Sequence, residues 1–350
     1  MKELGTNMDR RDFLKTGLQA TAGMAVLGVA NSHAAPGEKQ ITAQGVIPTR
    51  KFGKTGHVLP VLGYGGAAMV DHWEKLYAVE LDEYDERARM VRHAYDQGVR
   101  FFDTARVYAE SEGIMGRGLK GIRDNVYLAT KVAVPNPAQV RESVETSLTE
   151  LQTDYVDCMQ VHSPAIEAVG WEGGMKIYEE LEKLRDEGMI RFIGLTTHAA
   201  FEDVFKMVDT GAFDQVLLAR GYIHRGYQNM ISHGNIEWRE KCVSRAHELG
   251  MAIVAMKVMG ANLMGRGSAS YVADYDNAQR KKLPGAAIRW VLNDERISML
   301  NIGVSKMPDI GLNVATMKDD LTFSESDRML LADFSRVAYV SEYVKSMNVV

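Results

Sequence analysis

The sequence predicts an α/β fold, a closed (β/α)8 TIM barrel. After Pro48, eight short apolar runs alternate with helical runs, the pattern of parallel strands covered by helices. Glycine stands just past four of the helical runs, at Gly98, Gly188, Gly211 and Gly250, where a chain can turn left-handed and stop. Periodicity alone also allows an open doubly wound sheet. No Gly-x-Gly-x-x-Gly follows the first strand, as an open dinucleotide-binding sheet would require, and eight units suit closure.

The elements follow in order. Pro60–Tyr64 reads as strand one and Glu83–Asp96 as its helix. Arg100–Thr104 is strand two, followed by a helix over Ser111–Lys120. Val126–Lys131 is strand three, and Ala138–Leu151 carries apolar residues at helical spacing. Tyr155–His162 is strand four, with a helix over Met175–Glu187. Ile190–Thr196 and Phe201–Val208 form the fifth pair, and Phe213–Leu218 with Glu237–Leu249 the sixth. Ala252–Met256, a helix over Ala286–Leu292, and strand eight at Ser298–Val304 complete the series. Ser324–Val337 reads as an extra amphipathic helix. Two stretches exceed the repeat, Val70–Asp82 and Tyr222–Asn235. Loops of that length at a barrel mouth serve function or movement.

The first residues differ in kind. Asp9-Arg10-Arg11-Asp12-Phe13-Leu14-Lys15 holds paired arginines, a weakly apolar stretch runs from Thr16 to Ala30, and Ser32-His33-Ala34 offers a cleavage site. That is the layout of a twin-arginine export signal. Asp9 stands where such signals carry Ser or Thr. The stretch is too short to span a bilayer comfortably, and Gly17, Gly23 and Gly28 weaken it as a helix. The expected division is therefore a signal at 1–34, a barrel at 49–320 and a C-terminal helix and tail at 321–350. Cleavage near Ala34 would deliver the barrel to the periplasm, with no stable membrane insertion afterwards and the twin-arginine machinery as a partner.

Composition excludes several classes. A net charge of −5 without a basic stripe argues against nucleic acid as a partner. The two cysteines, Cys158 and Cys242, are far apart and cannot frame a metal cluster, so no metal is expected.

Three ionisable residues stand at the carboxyl ends of successive strands: Asp103, Lys131 and His162. In a barrel such ends meet at one rim, where active sites lie. Tyr108 follows in the loop after Asp103. A tyrosine, with a pKa of about 10, is a poor acid unless its anion is stabilised. A lysine ammonium beside it does that, and an aspartate can hold the lysine. The imidazole of His162 can orient a substrate oxygen or join the proton relay.

Asp103-Thr104-Ala105-x-x-Tyr108 with Ser111-Glu112 and Gly116 resembles the aldo/keto reductase signature. Arg50–Gly56 running on to Val61-Leu62-Gly63-Tyr64-Gly65-Gly66 resembles the start of that family, as does Asp154-Tyr155-Val156-Asp157 leading to His162. The resemblance covers roughly residues 49 to 320. It implies a catalytic tetrad of Asp103, Tyr108, Lys131 and His162, and hydride transfer between a nicotinamide cofactor and a carbonyl or alcohol. It implies that Thr196, Thr197 and Gln215 hold the carboxamide, and that Met256 packs on the ring. Gly65, Gly66, Lys257, Gly260, Ser305, Lys306 and Asn313 are implied as further cofactor contacts. The cofactor is expected to be NADP, with NAD as the alternative. Members selective for NADPH carry several basic groups after strand eight, where this sequence has Lys306 alone. Val254-Ala255-Met256-Lys257 is similar to a bacterial branch of the family.

Two other readings compete. A nicotinamide-binding sensor or accessory subunit would use the same barrel without turnover; the complete tetrad argues against it. A structural periplasmic barrel would leave the rim constellation unexplained.

Overall fold

The computed structural model describes Ile41 and residues 45–70, 81–224, 233–342 and 345. The expected signal at 1–34 lies outside the described residues. So do most of Val70–Asp82, the middle of Tyr222–Asn235 and the end of the tail.

The architecture is a closed barrel of eight parallel strands. A short antiparallel hairpin precedes it, β1 (Thr49–Lys51) and β2 (Val58–Pro60), with Arg50 opposite Leu59. The barrel strands are β3 (Leu62–Gly65), β4 (Phe101–Asp103), β5 (Tyr127–Val132), β6 (Val156–Val161), β7 (Ile190–Thr197), β8 (Gln215–Ala219), β9 (Ala252–Met256) and β10 (Met299–Gly303). Neighbours in sequence are neighbours in space. Closure comes from β10 pairing with β3, Leu300 facing Leu62 and Gly303 facing Gly65.

Side-chain alternation along each strand divides the core in two. Inward residues fill the barrel. Phe101 stacks on Tyr127 at 5.5 Å and Tyr127 on Phe192 at 6.1 Å. Phe52, from the turn of the hairpin, meets Tyr127 edge-on at 5.0 Å and so plugs the amino end. Arg50 fastens the hairpin by donating to the carbonyls of Leu292 and Ile297 at 2.7 and 2.6 Å. Outward residues such as Ile193, Leu195 and Val216 pack beneath the helices.

The longer helices are α1 (Tyr84–Asp96), α2 (Ser111–Leu119), α3 (Val140–Glu150), α4 (Ser163–Asp186), α5 (Phe201–Asp209), α6 (His233–Glu248), α7 (Leu283–Leu292), α8 (Met307–Thr316) and α9 (Glu325–Ala338). In α5 the buried set Phe201, Val204, Met207 and Val208 lies on one face, the stripe that drives docking on the sheet. A capping box of Ser324 and Asp327 starts α9. Arg289 of α7 holds Asp327 at 2.6 Å, which ties the terminal helix to the barrel.

The departures from sequence expectation have causes. Pro60 belongs to the hairpin, so the first barrel strand begins at Leu62. The fourth helix begins at Ser163, not Met175. Gly170, Gly173 and Gly174 thin its apolar pattern, and Gly170 kinks it at φ 67°. Helix α8, unassigned from the sequence, starts with Pro at its first turn and carries Gly311 inside. Both cysteines are buried and free.

Candidate active site

Strand register brings the rim residues together. Asp103 pairs with Ala129, and Lys131 with Gln160 one strand further on. Lys131 Nζ donates to Asp103 Oδ1 at 2.6 Å and to the Thr104 carbonyl at 2.5 Å. Both side chains are almost wholly buried, 1 % and 3 % exposed, so this ion pair has left bulk water. Burial lowers the Lys131 pKa, and the adjacent Asp103 carboxylate opposes that fall.

Tyr108 sits in the loop between β4 and α2. Its N–H donates to the Ala105 carbonyl at 3.0 Å, and its carbonyl accepts from Ser111 N–H at 2.8 Å. Arg106 pairs with Glu112 at 2.6 Å, and the Thr104 and Ser111 hydroxyls meet at 2.7 Å, bracing the loop on both sides. Ala109 takes φ 38°, a strained value for a residue with a Cβ. Lys131 Nζ lies 4.9 Å from the centre of the Tyr108 ring. The His162 ring meets Tyr108 edge-on at 5.8 Å. Burial, helped by the charge of Lys131, pushes His162 well below the usual imidazole range. His162 is thus a neutral hydrogen-bonding group at physiological pH.

Above this centre opens a cavity of about 980 Å³. Asp103, Tyr108 and His162 of the expected rim line it, together with Gly65, Met256, Lys257, Ser305 and Asn313, which the resemblance implies as cofactor contacts. Lys131 lies beneath. Gly66, Thr196, Thr197, Gln215, Gly260 and Lys306 do not form its wall. Thr196 Oγ1 accepts from Ser163 N–H at 3.0 Å, which closes the first turn of α4. Thr197 Oγ1 and Gln215 Oε1 are buried without a partner among the described residues. Lys306 pairs with Asp82 at 2.7 Å, and Arg266 with Asp309 at 2.5 Å.

Several residues of the site escaped a search for ionisable groups. Gln160 donates to Asp103 Oδ2 at 2.8 Å, and Asn301 donates to Asp103 Oδ1 at 2.9 Å. Their signal was positional: Gln160 stands two residues before His162 on the same face of β6, and Asn301 interrupts an apolar strand. His198 faces the cavity two residues past Thr196. Burial, then the charge of Lys257, holds it well below the usual range. Lys257 itself is pushed down to about 8 by burial. Among the described residues no group of three or more His, Cys, Asp or Glu could hold a metal ion.

A phenol beside a buried ammonium–carboxylate pair, with a neutral imidazole at its edge, can deliver a proton to an oxygen in the cavity. Fold and rim together define an oxidoreductase built on a (β/α)8 barrel. The model of the aldo/keto reductase family matches residues 61–280, and the chain belongs to that family. It is 26% identical over 322 residues to L-galactose dehydrogenase of Arabidopsis thaliana, covering 86% of this chain and 97% of that protein. It is 39% identical over 137 residues to aldo-keto reductase YhdN of Bacillus subtilis, covering 34% and 39%. Aldo-keto reductase AKR11C1 of Bacillus halodurans superposes with a TM-score of 0.65 at 20% identity, over 85% of this chain and 99% of that one. At that identity the likeness shows the fold.

Proposed function

We propose that this enzyme reduces a small-molecule carbonyl, or oxidises the corresponding alcohol, with a nicotinamide dinucleotide, and that Tyr108 is its general acid and base. The observation that carries the proposal is the buried Lys131–Asp103 pair set against the face of Tyr108. The ammonium stabilises a tyrosinate and so makes the phenol a better acid. Asp103 keeps the ammonium in place. Neutral His162 orients the substrate oxygen by hydrogen bonding and does not compete as an acid.

The residues fit the cofactor. Buried Gln215 Oε1 and Thr197 Oγ1 lack partners among the described residues, and an amide ligand would satisfy them. The loop after β9 turns left-handed at Lys257, Gly260, Ala261 and Asn262, with φ between 53° and 75°. Successive turns of this kind present backbone N–H groups to an anion, and Lys257 adds charge beside them. We assign Gly65, Gly66, Thr196, Thr197, Gln215 and Met256 to the nicotinamide end. Lys257 and Gly260 go to the phosphates, and Ser305, Lys306 and Asn313 to the adenosine end. When bound, the nicotinamide supplies or accepts the hydride. Carboxylate partners on Lys306 and Arg266 reduce the positive charge left for an extra phosphate, which brings NAD into consideration beside NADP.

Tyr108→Phe keeps the ring and removes the hydroxyl. It should lower kcat for a broad carbonyl panel by at least about a hundredfold, with cofactor Kd little changed. Near-normal turnover would overturn the assignment. A wild-type protein that binds nucleotide yet turns over no substrate would make the chain a sensor.

We further propose export to the periplasm by the twin-arginine route, with cleavage near Ala34. Arg10-Arg11 and Ser32-His33-Ala34 support it. Replacing both arginines with lysine should retain the protein in the cytoplasm; an unchanged location would refute export.

A further inference from the structure

Asp103 is held by more than its lysine. Its Oδ1 accepts from Lys131 at 2.6 Å and Asn301 at 2.9 Å, and its Oδ2 accepts from Gln160 at 2.8 Å. Gln160 in turn accepts, at Oε1, a bond from Gln215 Nε2 at 3.1 Å. Gln160 and Gln215 are fully buried, and Asp103 is 2 % exposed. A chain of two amides therefore runs across the barrel floor from the carboxylate to Gln215. It ends at Gln215 Oε1, which is buried and has no partner among the described residues.

We propose that Gln160 is a positioning residue for the reaction: it holds Asp103 as an anion, and so keeps Lys131 cationic beside Tyr108. The inference rests on the reading of Tyr108 as the proton donor. The physical reason is direct. A desolvated ion pair is close to collapse into neutral partners by proton transfer. Every donor bonded to the carboxylate favours its charged form and keeps the proton on the lysine. Without Gln160, Oδ2 loses its donor on a carboxylate that is only 2 % exposed. The proton then shifts toward Asp103, and the cation beside the phenol weakens. Bonds in such a chain also polarise one another. A donor placed on Gln215 Oε1 strengthens the hold on Asp103, which links the occupant of that end to the acid.

Other charges face the pair. Glu112 and Cys158 act on Lys131, and His162 and His198 feel its charge. None of the four donates to Asp103 in the way Gln160 does, and all four stay in place when Gln160 is replaced.

The test uses the full chain and a readout independent of turnover. Ultraviolet difference titration of tyrosinate, wild type against Tyr108→Phe, isolates the ionisation of Tyr108. Gln160→Met keeps the volume and removes the donor. The Tyr108 step should move up by about one pH unit, and the alkaline limb of kcat for reduction should move with it. A step that stays in place while only thermal stability falls would show a purely structural role and overturn the proposal. If Gln160→Met does not fold, Asn301→Ala removes a donor from the other oxygen. An upward shift there supports the mechanism, and none overturns it. An alkaline limb that survives in Tyr108→Phe would instead count against Tyr108 as the acid, whatever the titration shows for Gln160.

Discussion

Lys257→Met should make the cofactor-free protein more stable and the cofactor weaker. Lys257 lies at the cavity wall with its pKa pushed from 10.5 to about 8 by burial. Its φ of 61° is strained for any residue with a Cβ, so the methionine inherits that strain and it cancels from the comparison. The pH-dependent part of the difference comes from the charge. At about 1.4 kcal/mol per pH unit, the fall corresponds to at most about 3.5 kcal/mol of destabilisation at neutral pH. The sign follows from linkage. Below about pH 8 the lysine is charged in both states and the full penalty holds. Between 8 and 10.5 the folded form releases its proton while the unfolded form keeps it, so wild-type stability recovers with rising pH. The stability gap between variant and wild type should therefore be largest at neutral pH and close toward pH 10.5. In a domain of this size about 3.5 kcal/mol shifts Tm by about 7 °C. Thermal unfolding at a series of pH values reads the gap, and quenching of nucleotide fluorescence reads affinity. Loss of one charge-assisted contact should weaken the dinucleotide about ten- to a hundredfold. A variant no more stable than wild type, or a gap that ignores pH, would refute the reasoning.

The paired threonines should separate. Thr196→Val strands the Ser163 N–H at the start of α4 and should lower stability by about 1–3 kcal/mol, read by denaturant unfolding. Thr197→Val removes a buried hydroxyl that has no partner among the described residues, so it should be neutral or stabilising without cofactor. A lower cofactor affinity in that variant would support the carboxamide assignment, and unchanged affinity would leave it to Gln215. Acid should unfold the protein through its buried imidazoles. His162 and His198 are held well below 6.5 and His224 at about 4, burial being the first cause in each. The unfolded chain takes up these protons first, so stability is present above about pH 7 and is lost as pH falls through 6.5 toward 4. A melting temperature constant over that interval would contradict it.

The barrel was legible because each strand is a short apolar run with a helix behind it. The rim was legible because Asp103, Lys131 and His162 are ionisable groups ending apolar strands. Period-two and period-3.6 patterns carry that information locally. The rest depends on partners distant in sequence. Gln160 and Asn301 are ordinary polar residues until the closed barrel sets them against Asp103. The hairpin at Thr49–Pro60 carries no core pattern of its own; its Phe52 gains meaning only against Tyr127. The early start of α4 was hidden by Gly170, Gly173 and Gly174, whose lack of side chains removes the periodic signal.

The seam between β3 and β10 has a consequence for biosynthesis. Gly65 stands on its early side, Asn301 and Gly303 on its late side, and all three line the cavity. A nascent chain that has delivered seven barrel strands to the cell still lacks one wall of its cavity. The eighth strand emerges only after residue 303 has left the ribosome, and Arg50 waits equally long for the carbonyls of Leu292 and Ile297. Completion of the cavity therefore waits for the last strand of the barrel. A chain released short of that strand would keep an open seam where Leu300 and Gly303 should face Leu62 and Gly65.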